Sequence, residues 1–330
     1  MVSEGTGRSS KLGTTVTETP DAWTAVREID RRVRVAAFEF LRKQTELHGE
    51  TLPRTMLAEG FILDGQRVPL IGPQGIFKPA ALPEVPLSIT TVPEVEQRAR
   101  PYEDEIGDDG LVRYRYRGSD PNHRDNAGLR LALQRGTPLV YLYGIVPGEY
   151  MPIWPVFIVG DDPTTLSFSV AVDLKETLAV SPVEQSGAVA EARRSYITRL
   201  TQQRLHQQGF RKRVLRAYQE RCAVCGLRHS ELLDAAHILP DGHPKGEPIV
   251  PNGLALCGLH HCAFDRSFLG IRPDLMIEIR ADILRESDGP MLVHGLQGFQ
   301  GVRIAVPGRT ELQPDREFLA ERYEMFRKTG

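Results

Sequence analysis

Residues 222–265 read CAVCGLRHSELLDAAHILPDGHPKGEPIVPNGLALCGLHHCAFD and decide the fold of the C-terminal part of the chain. Cys222 and Cys225 form a CxxC pair, and Cys257 with His260 forms a CxxH pair further along. Two close pairs of soft ligands have the spacing of a closed, tetrahedral Zn²⁺ site. The spacing therefore predicts a structural zinc, with buried structural thiols as the alternative.

A closed zinc site has no open position for chemistry, so catalysis would fall to other residues of this stretch. Three candidates follow in the order His, Asn, His: His237 in DAAHI, Asn252 in NGL, and His261 directly after His260. With eight residues between Asn252 and His261, the stretch resembles the HNH endonucleases of the ββα-metal class, and AAHI is similar to their McrA-like branch. The resemblance covers roughly residues 210 to 280.

The resemblance implies hydrolysis of phosphodiester bonds, which needs an activated water and a cation beside the phosphate. His237 would be the general base, because a neutral imidazole can take a proton near pH 7. Asn252 would hold the base and its loop by hydrogen bonds. His261 would bind a catalytic divalent ion such as Mg²⁺ or Mn²⁺, with Asp265, four residues on and on the same helical face, as second ligand.

The chain departs from the family pattern at Ala236, where many members carry a further metal ligand directly before the base. Asp234 is the nearest substitute. Positions 234 and 237 of a strand point to opposite faces, which argues against that substitution and leaves water and phosphate oxygens as the remaining ligands. A degenerate finger that keeps the zinc and binds nucleic acid without cutting is the alternative to a catalytic unit.

Length and composition favour a globular protein with two domains: 330 residues, 41% hydrophobic, 25% charged, and a net charge of −2. No apolar run approaches membrane-spanning length, and the first twenty residues lack the apolar core of a secretory signal, so we expect a disordered tail over 1–20 and no membrane partner. The four cysteines cluster without a disulfide framework, which favours the cytoplasm.

Positive charge is concentrated in residues 192–221, which hold nine Arg and Lys against the single acid Glu220. We expect two helices interrupted at Gly209, within a basic linker over 181–215. The four-residue repeat predicts a buried stripe of Phe210, Val214 and Tyr218. Three basic residues would then face outward and follow DNA phosphates, unless this is simply a solvated face: Arg211, Lys212 and Arg216.

The N-terminal half combines one long helix with several strands. Apolar periodicity predicts a helix from Ala22 to about Leu47, and Asp64-Gly65 between apolar runs predicts a hairpin. Strands follow at 87–92, 111–117, 138–146, 152–159 and 165–173, with a short helix over 126–134. Pro152 and Pro155 favour a sheet edge or a bulge. The expected fold class is α+β, with a curved, mostly antiparallel sheet or small barrel packed with helices.

The layout YRGSDPNHRDNAGLRLALQRGTPLVYLYGI (116–145) followed by IWPVFIV (153–159) is similar to SRA and wider PUA-like domains. Such a domain would read modified bases, with Asp120 and Asn126 lying near the base pocket or bracing it. Three arginines would approach the DNA backbone and an aromatic residue would stack on a flipped base: Arg113, Arg115, Arg117, and Tyr116 or Trp154. Core packing of these aromatic residues, in a general DNA-binding or protein-binding module, is the alternative.

Together the two halves predict a modification-dependent, type IV-like restriction DNA endonuclease, with a reader over 21–180 and an HNH domain over 216–330. Cutting both strands of double-stranded DNA with one site per chain suggests a homodimer. The segment near Asp315 to Lys328 could pack on the HNH core or supply the dimer contact. Two other classes stay open, a nuclease effector without base specificity and a non-catalytic, zinc-stabilised DNA-binding protein.

Overall fold

The structure is a computed structural model that describes residues 22–93, 105–106, 111–172 and 187–329. The predicted tail over 1–20 and residues 181–186 of the predicted linker lie outside the described residues. The helices are α1 (Ala22–His48), α2 (Arg54–Glu59), α3 (Arg124–Arg135), α4 (Gly187–Ala217), α5 (Gly258–Asp265), α6 (Ala281–Arg285), α7 (Pro290–Gly295) and α8 (Arg316–Arg327).

The strands of the N-terminal half are β1 (Leu52–Pro53), β2 (Phe61–Leu63), β3 (Gln66–Val68), β4 (Ile76–Phe77), β5 (Ser88–Thr90), β6 (Glu105–Ile106), β7 (Val112–Arg115), β8 (Leu139–Val146), β9 (Glu149–Asp162) and β10 (Ser167–Val172). Those of the C-terminal half are β11 (Leu233–His237), β12 (Gly253–Cys257), β13 (Leu269–Ile271) and β14 (Ile277–Ile279).

A curled half-barrel sheet forms the N-terminal half, in the order β4-β5-β8-β9-β10-β7-β6, with β1 added to β9. The β5–β8 pair is parallel and the other described pairs of this sheet are antiparallel, which confirms the mostly antiparallel prediction. Separately, β2 and β3 form the predicted hairpin, because Asp64 and Gly65 both adopt positive φ.

Apolar residues are buried on both faces of this sheet. One core contains Leu129 and Ala132 of α3 together with Phe168 and Val170 of β10. The other contains residues of α1, among them Leu41, packed with Leu142 and Trp154. A sheet covered on both faces explains why its central strands are rich in continuous apolar runs.

Strand β9 contradicts the expectation that its prolines place it at a sheet edge, since β9 lies between β8 and β10. The alternative, a bulge, is confirmed, because the β8–β9 register shifts between Leu139 and Tyr141, opposite Val156 and Ile153. The extra residue in β9 falls between Ile153 and Val156, where Pro155 lies, whereas Pro152 stays in register opposite Leu142.

Helix α4 is one continuous helix from Gly187 to Ala217, so the predicted break at Gly209 is wrong. A glycine inside a helix costs only about 1 kcal/mol relative to alanine, and packing on both sides of Gly209 outweighs that cost. Leu205 is buried in the core of the N-terminal sheet, whereas Phe210 and Val214 are buried in the C-terminal core. Helix α4 therefore belongs to both halves of the molecule.

The C-terminal half is built around β11, β12 and α5, followed by the β13–β14 hairpin and α8. Asp315 caps α8 by accepting hydrogen bonds from the backbone of Glu317 and Phe318. Leu319 of α8 is buried in the C-terminal core, and Phe326 is buried against Gly270 of β13, so this helix packs on the core. Among the described residues, no helix is long and apolar enough to cross a membrane.

Candidate active site

The strands β11 and β12 form an antiparallel pair in which His237 lies opposite Gly253 and Leu233 opposite Cys257. Helix α4 packs on the face that carries His237, since its Phe210 ring contacts both His237 and Gly253. On the opposite face Asp234 reaches His261 of α5. The unit formed by β11, β12 and α5 therefore carries its candidate catalytic side chains on both faces of the two-stranded sheet.

The four predicted zinc ligands, Cys222, Cys225, Cys257 and His260, come together as their spacing predicts, with all ligand atoms within 4.8 Å of one another. The Sγ atoms of Cys225 and Cys257 are 3.9 Å apart, and Nδ1 of His260 lies 3.1 Å from Sγ of Cys257. A tetrahedral ion with Zn–S bonds of about 2.3 Å separates its sulfur ligands by about 3.8 Å. The cluster therefore has the dimensions of a tetrahedral metal site.

His260 presents the correct nitrogen to this site. Its Nε2 lies 2.8 Å from the carbonyl oxygen of Gly295 and donates to it, which leaves the lone pair of Nδ1 facing the thiols. This second hydrogen bond fixes the ring orientation of a metal-binding histidine. The hydrogen bond with Cys257 lowers the pKa of the Cys222 thiol, and the same bond raises the pKa of Cys257.

His237 lies at the end of β11, with its ring stacked on Phe210 at a centroid distance of 4.0 Å and an interplanar angle of 18°. Nε2 of His237 is buried and has no hydrogen-bond partner among the described residues. Burial lowers the pKa of this imidazole, against the opposing charges of Asp241 and Asp265. At neutral pH His237 is therefore a neutral imidazole.

Asn252 is fully buried and bonds the loop that follows His237. Its Oδ1 accepts from the backbone N–H of Leu239 at 2.9 Å, and its Nδ2 donates to the carbonyls of Leu239 and Glu247, each at 3.0 Å. The backbone carbonyl of Asn252 also accepts from Ile238. Asn252 thus ties together both ends of the loop between β11 and β12.

His261 lies on α5 between two carboxylates. Oδ2 of Asp265 is 3.3 Å from its Nε2, one helical turn away, and Oδ2 of Asp234 is 3.7 Å from its Nδ1. Asp234 and His237 lie on opposite faces of β11, as alternation predicts. A metal ligand on β11 that acts together with His261 of α5 must, however, lie on the face of β11 that carries Ala236. Asp234 lies on that face.

Arg211 of α4 holds the Asp234 carboxylate from the other side. Its Nε lies 3.2 Å from Oδ1 of Asp234, and its Nη2 donates to the carbonyls of Leu233 and Ser230 at 2.6 and 3.2 Å. Arg211 is half-buried through these contacts and also lines the open groove beside α5, so its predicted contact with DNA phosphates stays a prediction.

Residues 222–272 match the family described as HNH endonuclease. The chain contains an HNH endonuclease domain. Its reaction class is that of a DNA endonuclease, a hydrolase of phosphodiester bonds. No curated protein matches the chain. A solved structure titled "Modification dependent TagI restriction endonuclease" is 17% identical, over 73% of this chain and 82% of that chain, with a TM-score of 0.29. A TM-score this low supports no argument.

An open groove of about 1120 Å³ crosses the HNH domain beside α5. Its lining includes Asp234, His261 and Asp265 together with Arg211 and Arg266. Carboxylates, imidazoles and guanidinium groups thus line this open groove. The other two residues of α4 that were predicted to face outward have different surroundings. Lys212 is half-buried, with its Nζ 3.7 Å from Oε2 of Glu149, and Arg216 is exposed.

A second cavity, of about 250 Å³, lies in the N-terminal half. It is lined by residues of three adjoining segments: Gly75, Ile76, Thr90, Thr91, Val92, Tyr114, Arg115, Tyr116, Arg117 and Gly118. The hydroxyl of Thr90 is buried and has no hydrogen-bond partner among the described residues. An unpartnered buried hydroxyl is costly unless a ligand or water completes it.

Asn126, at the start of α3, braces the segment that borders this cavity. Its Oδ1 accepts from the backbone N–H of Arg117, and its Nδ2 donates to the carbonyls of Arg117 and Asp120. The Asp120 carboxylate accepts from the backbone N–H of Asn122. Neither Asp120 nor Asn126 lines the cavity itself.

The predicted stacking residues are core residues. The hydroxyl of Tyr116 is held by Asp161 and Arg130, and its ring packs on Phe168 at 4.6 Å. Trp154 is buried in the core on the α1 side of the sheet and does not line the cavity, because it follows the regular alternation of β9, with Ile153 on the other face. Stacking of a base on Trp154 is therefore not compatible with this cavity.

The three predicted arginines of β7 and the following turn have different surroundings. Arg115 is exposed at the cavity. Arg113 donates to Ser169, and Arg117 pairs with Asp125. Sequence reasoning missed the roles of Thr90, Phe210 and Arg211, because each depends on contacts between segments that are distant in the chain.

Proposed function

We propose that this protein is a modification-dependent restriction endonuclease, in which the HNH domain hydrolyses DNA and the N-terminal domain reads a base. The observation that carries the proposal is the arrangement around α5. His237 ends β11 near enough to α5 for the charges of Asp265 and His261 to act on it, although it does not line the groove that His261 and Asp265 face, and Asn252 bonds the adjoining loop. These are the groups that phosphodiester hydrolysis requires.

His237 is proposed as the general base. Its Nε2 is buried without a partner, which leaves Nδ1 as the nitrogen that receives a proton from water. Because burial lowers the pKa of His237, the neutral, proton-accepting form predominates at neutral pH. Asn252 contributes by holding the loop after His237 in one conformation.

His261 and Asp265 are proposed to hold a divalent cation, Mg²⁺ or Mn²⁺. The two ligand atoms lie 3.3 Å apart on one helical face, and both side chains line the groove, which leaves room for water and phosphate oxygens. An imidazole and a carboxylate with open positions fit such an ion. When bound, the cation would neutralise charge developing on the phosphate and the leaving oxygen.

The Cys222, Cys225, Cys257 and His260 cluster is proposed to bind a structural Zn²⁺. All four positions are taken by protein ligands, so no open site is left for chemistry. The ion would fix the start of α5, because Cys257 directly precedes this helix and His260 lies in its first turn. Zinc would thus position His261, the next residue.

The N-terminal cavity supports the base-reading part of the proposal. Its volume suits a single planar heterocycle, and the buried Thr90 hydroxyl offers one unused hydrogen-bonding group. Arg115 at the cavity could contact the phosphate of an extruded nucleotide, since flipped bases enter pockets of this kind from the duplex. The proposed selectivity for a modified base rests on the resemblance of residues 116–159 in sequence layout to SRA and PUA-like domains.

Cleavage of plasmid DNA with Mg²⁺ or Mn²⁺ tests the nuclease part. We expect His237→Ala to abolish cleavage while DNA binding in a gel shift is retained. His229→Ala, which removes an exposed histidine of the same domain, is the matched control. Equal cleavage by wild type and His237→Ala would contradict the catalytic assignment.

Binding of short duplexes tests the reader part. Thr90→Val keeps the shape of the side chain and removes the hydroxyl, so we expect weaker binding of the preferred, modified duplex and an unchanged affinity for unmodified DNA. Thr55→Val, an exposed position on α2, is the control. If Thr90→Val binds all duplexes as the wild type does, the cavity does not read the base.

A homodimer is the proposed working form, since double-strand cleavage needs two HNH sites or sequential nicks. Analytical ultracentrifugation with a cognate duplex would detect it. A strictly monomeric complex that only nicks DNA would contradict this part of the proposal and leave the nuclease assignment intact.

A further inference from the structure

We propose that Phe210 is a positioning residue for His237, and that helix α4 makes the orientation of His237 depend on the N-terminal domain. This inference rests on the proposed function, in which His237 is the general base. It concerns a residue outside the matched span 222–272 and a connection between the two halves of the chain.

The first observation is the contact itself. The rings of Phe210 and His237 are stacked at 4.0 Å with an interplanar angle of 18°, and Phe210 is 2% exposed. A stacked aromatic ring restricts rotation of the imidazole, which has no hydrogen bond at Nε2 to do so. Phe210 therefore takes the orienting role that a carboxylate or carbonyl often takes for a catalytic histidine.

Gly253 shows how closely α4 approaches the strands here. It lies opposite His237 in the β11–β12 pair, and a Cβ at this position would be 2.4 Å from Cγ2 of Val214 and 2.9 Å from Cζ of Phe210. The absence of a side chain at position 253 lets Phe210 reach the imidazole. The stacking of Phe210 on His237 therefore depends on Gly253 of β12 as well as on α4.

The second observation is that the preceding turns of α4 are anchored to the N-terminal domain. Leu205 is buried in the core of the curled sheet. Glu50 accepts hydrogen bonds from Arg204 and from Gln208, the latter at 3.1 Å. Lys212, beyond Phe210, lies 3.7 Å from Glu149. Anchors from the N-terminal domain therefore flank Phe210 on both sides along the helix.

Because α4 is continuous, a movement of its anchored turns would reach Phe210 over a short distance. Leu205 and Phe210 are five residues apart, which is about 7.5 Å along the helix axis. No hinge lies between them, because α4 is unbroken at Gly209. A shift of the curled sheet on binding DNA would therefore move the Phe210 ring relative to β11 and alter the orientation of the general base.

His237 also has charged neighbours on the elements around it. Asp234 lies on β11, Asp241 on the loop after it, and His261 and Asp265 on α5, and all four act on the charge of His237. Burial is nevertheless the larger cause of its lowered pKa. The titration of His237 therefore reports how well Phe210 covers the ring.

The test compares Phe210→Leu with Phe326→Leu, which replaces a buried phenylalanine that lies against Gly270 of β13 in the same half of the chain. For Phe210→Leu we expect kcat to fall about ten- to a hundredfold with KM for DNA unchanged, and the acidic limb of the pH–rate profile to move to higher pH. For Phe326→Leu we expect neither change. Phe210→Leu behaving like Phe326→Leu would overturn the positioning role.

Gly253→Ala provides the same test without removing any core side chain, and it decides the case if Phe210→Leu fails to fold. The added methyl would lie 2.4 Å from Cγ2 of Val214 and 2.9 Å from Cζ of Phe210, so both side chains must shift and we expect the same loss of kcat and the same shift of the acidic limb. An NMR titration of His237 provides a readout that does not need catalysis. Hence the inference can be judged even if the wild type fails to cleave DNA and the proposed function is wrong.

The dependence on the N-terminal domain is tested by Leu205→Ala, with Leu129→Ala in the same core as control. We expect Leu205→Ala to raise the apparent pKa of His237 and to lower kcat severalfold, although residue 205 is outside the HNH core. Leu129→Ala should leave the His237 titration unchanged. If both variants give the wild-type titration, α4 does not couple the two domains.

Discussion

The Asp234 carboxylate of β11 lies 3.7 Å from Nδ1 of His261 on α5, at the ring nitrogen that Asp265 does not approach. An imidazole binds a metal ion through one nitrogen, so the two carboxylates cannot have the same role. Asp234 is also paired with Arg211, which makes it a weak candidate for a cation ligand. We therefore expect Asp234 to orient His261 from Nδ1, while Asp265 shares the ion bound at Nε2.

Asp234→Asn should weaken binding of the catalytic cation about ten- to a hundredfold, because the amide holds His261 less firmly than the carboxylate. Isothermal titration with Mn²⁺ measures this directly, and excess Mn²⁺ should restore part of the cleavage activity. Asp288→Asn, on an exposed loop, is the control. An unchanged Mn²⁺ affinity for Asp234→Asn would show that His261 needs no such support.

Removal of one zinc ligand should destabilise the HNH domain far more than loss of a neighbouring thiol. Cys222→Ser breaks the Cys₃His set, and we expect the melting temperature to fall by roughly 10 °C or more. Cys262→Ser, which lies outside the set, should melt as the wild type does. Metal analysis of both proteins completes the comparison, and one bound zinc in each would contradict the ligand assignment.

Asn252→Ala should cost about 2–4 kcal/mol of the free energy of unfolding, because it removes three hydrogen bonds from a fully buried site. We expect cleavage to be lost even at temperatures where the variant is folded, since the loop after His237 is released. Chemical denaturation and plasmid cleavage measure the two effects. Asn122→Ala, in a surface turn, should change neither quantity.

The pH dependence of cleavage follows from the lowered pKa of His237. The base form persists below the ordinary histidine value near 6.5, so the acidic limb of kcat/KM should lie below about pH 6.5. The free energy of unfolding depends on pH in the same direction. Because the unfolded state binds the proton of His237 more readily, the protein becomes less stable as the pH falls below about 6.5. An acidic limb above pH 7 in the wild-type profile would contradict the buried environment of the ring.

The local features of the fold could be predicted where short-range chemistry decides them. Asp64-Gly65 specifies a hairpin because both residues tolerate positive φ, and the CxxC and CxxH pairs bring four ligands to one point. The failures come from tertiary contacts. Gly209 does not end α4 because both domains pack on this helix, and Pro155 of β9 lies at a bulge inside the sheet.

The candidate active site could likewise be predicted only in part. His237, Asn252 and His261 are identifiable from their order in the chain, whereas the partners that hold them are not. From the sequence, Arg211 is predicted to face DNA. Its ion pair with Asp234, which lies 23 residues further along the chain, could not be predicted. The N-terminal cavity was not foreseeable either, since Gly75, Thr90 and Tyr114 meet only after the sheet curls.

The most direct test of the account is cleavage of matched plasmids that are unmodified or carry 5-methylcytosine, 5-hydroxymethylcytosine or phosphorothioate, with His237→Ala as control. We predict that the wild type cleaves only a modified plasmid, that Thr90→Val loses this preference, and that His237→Ala cleaves none. Equal cleavage of all plasmids by the wild type would contradict base reading by the N-terminal domain. Cleavage by His237→Ala at the wild-type rate would contradict the catalytic site itself.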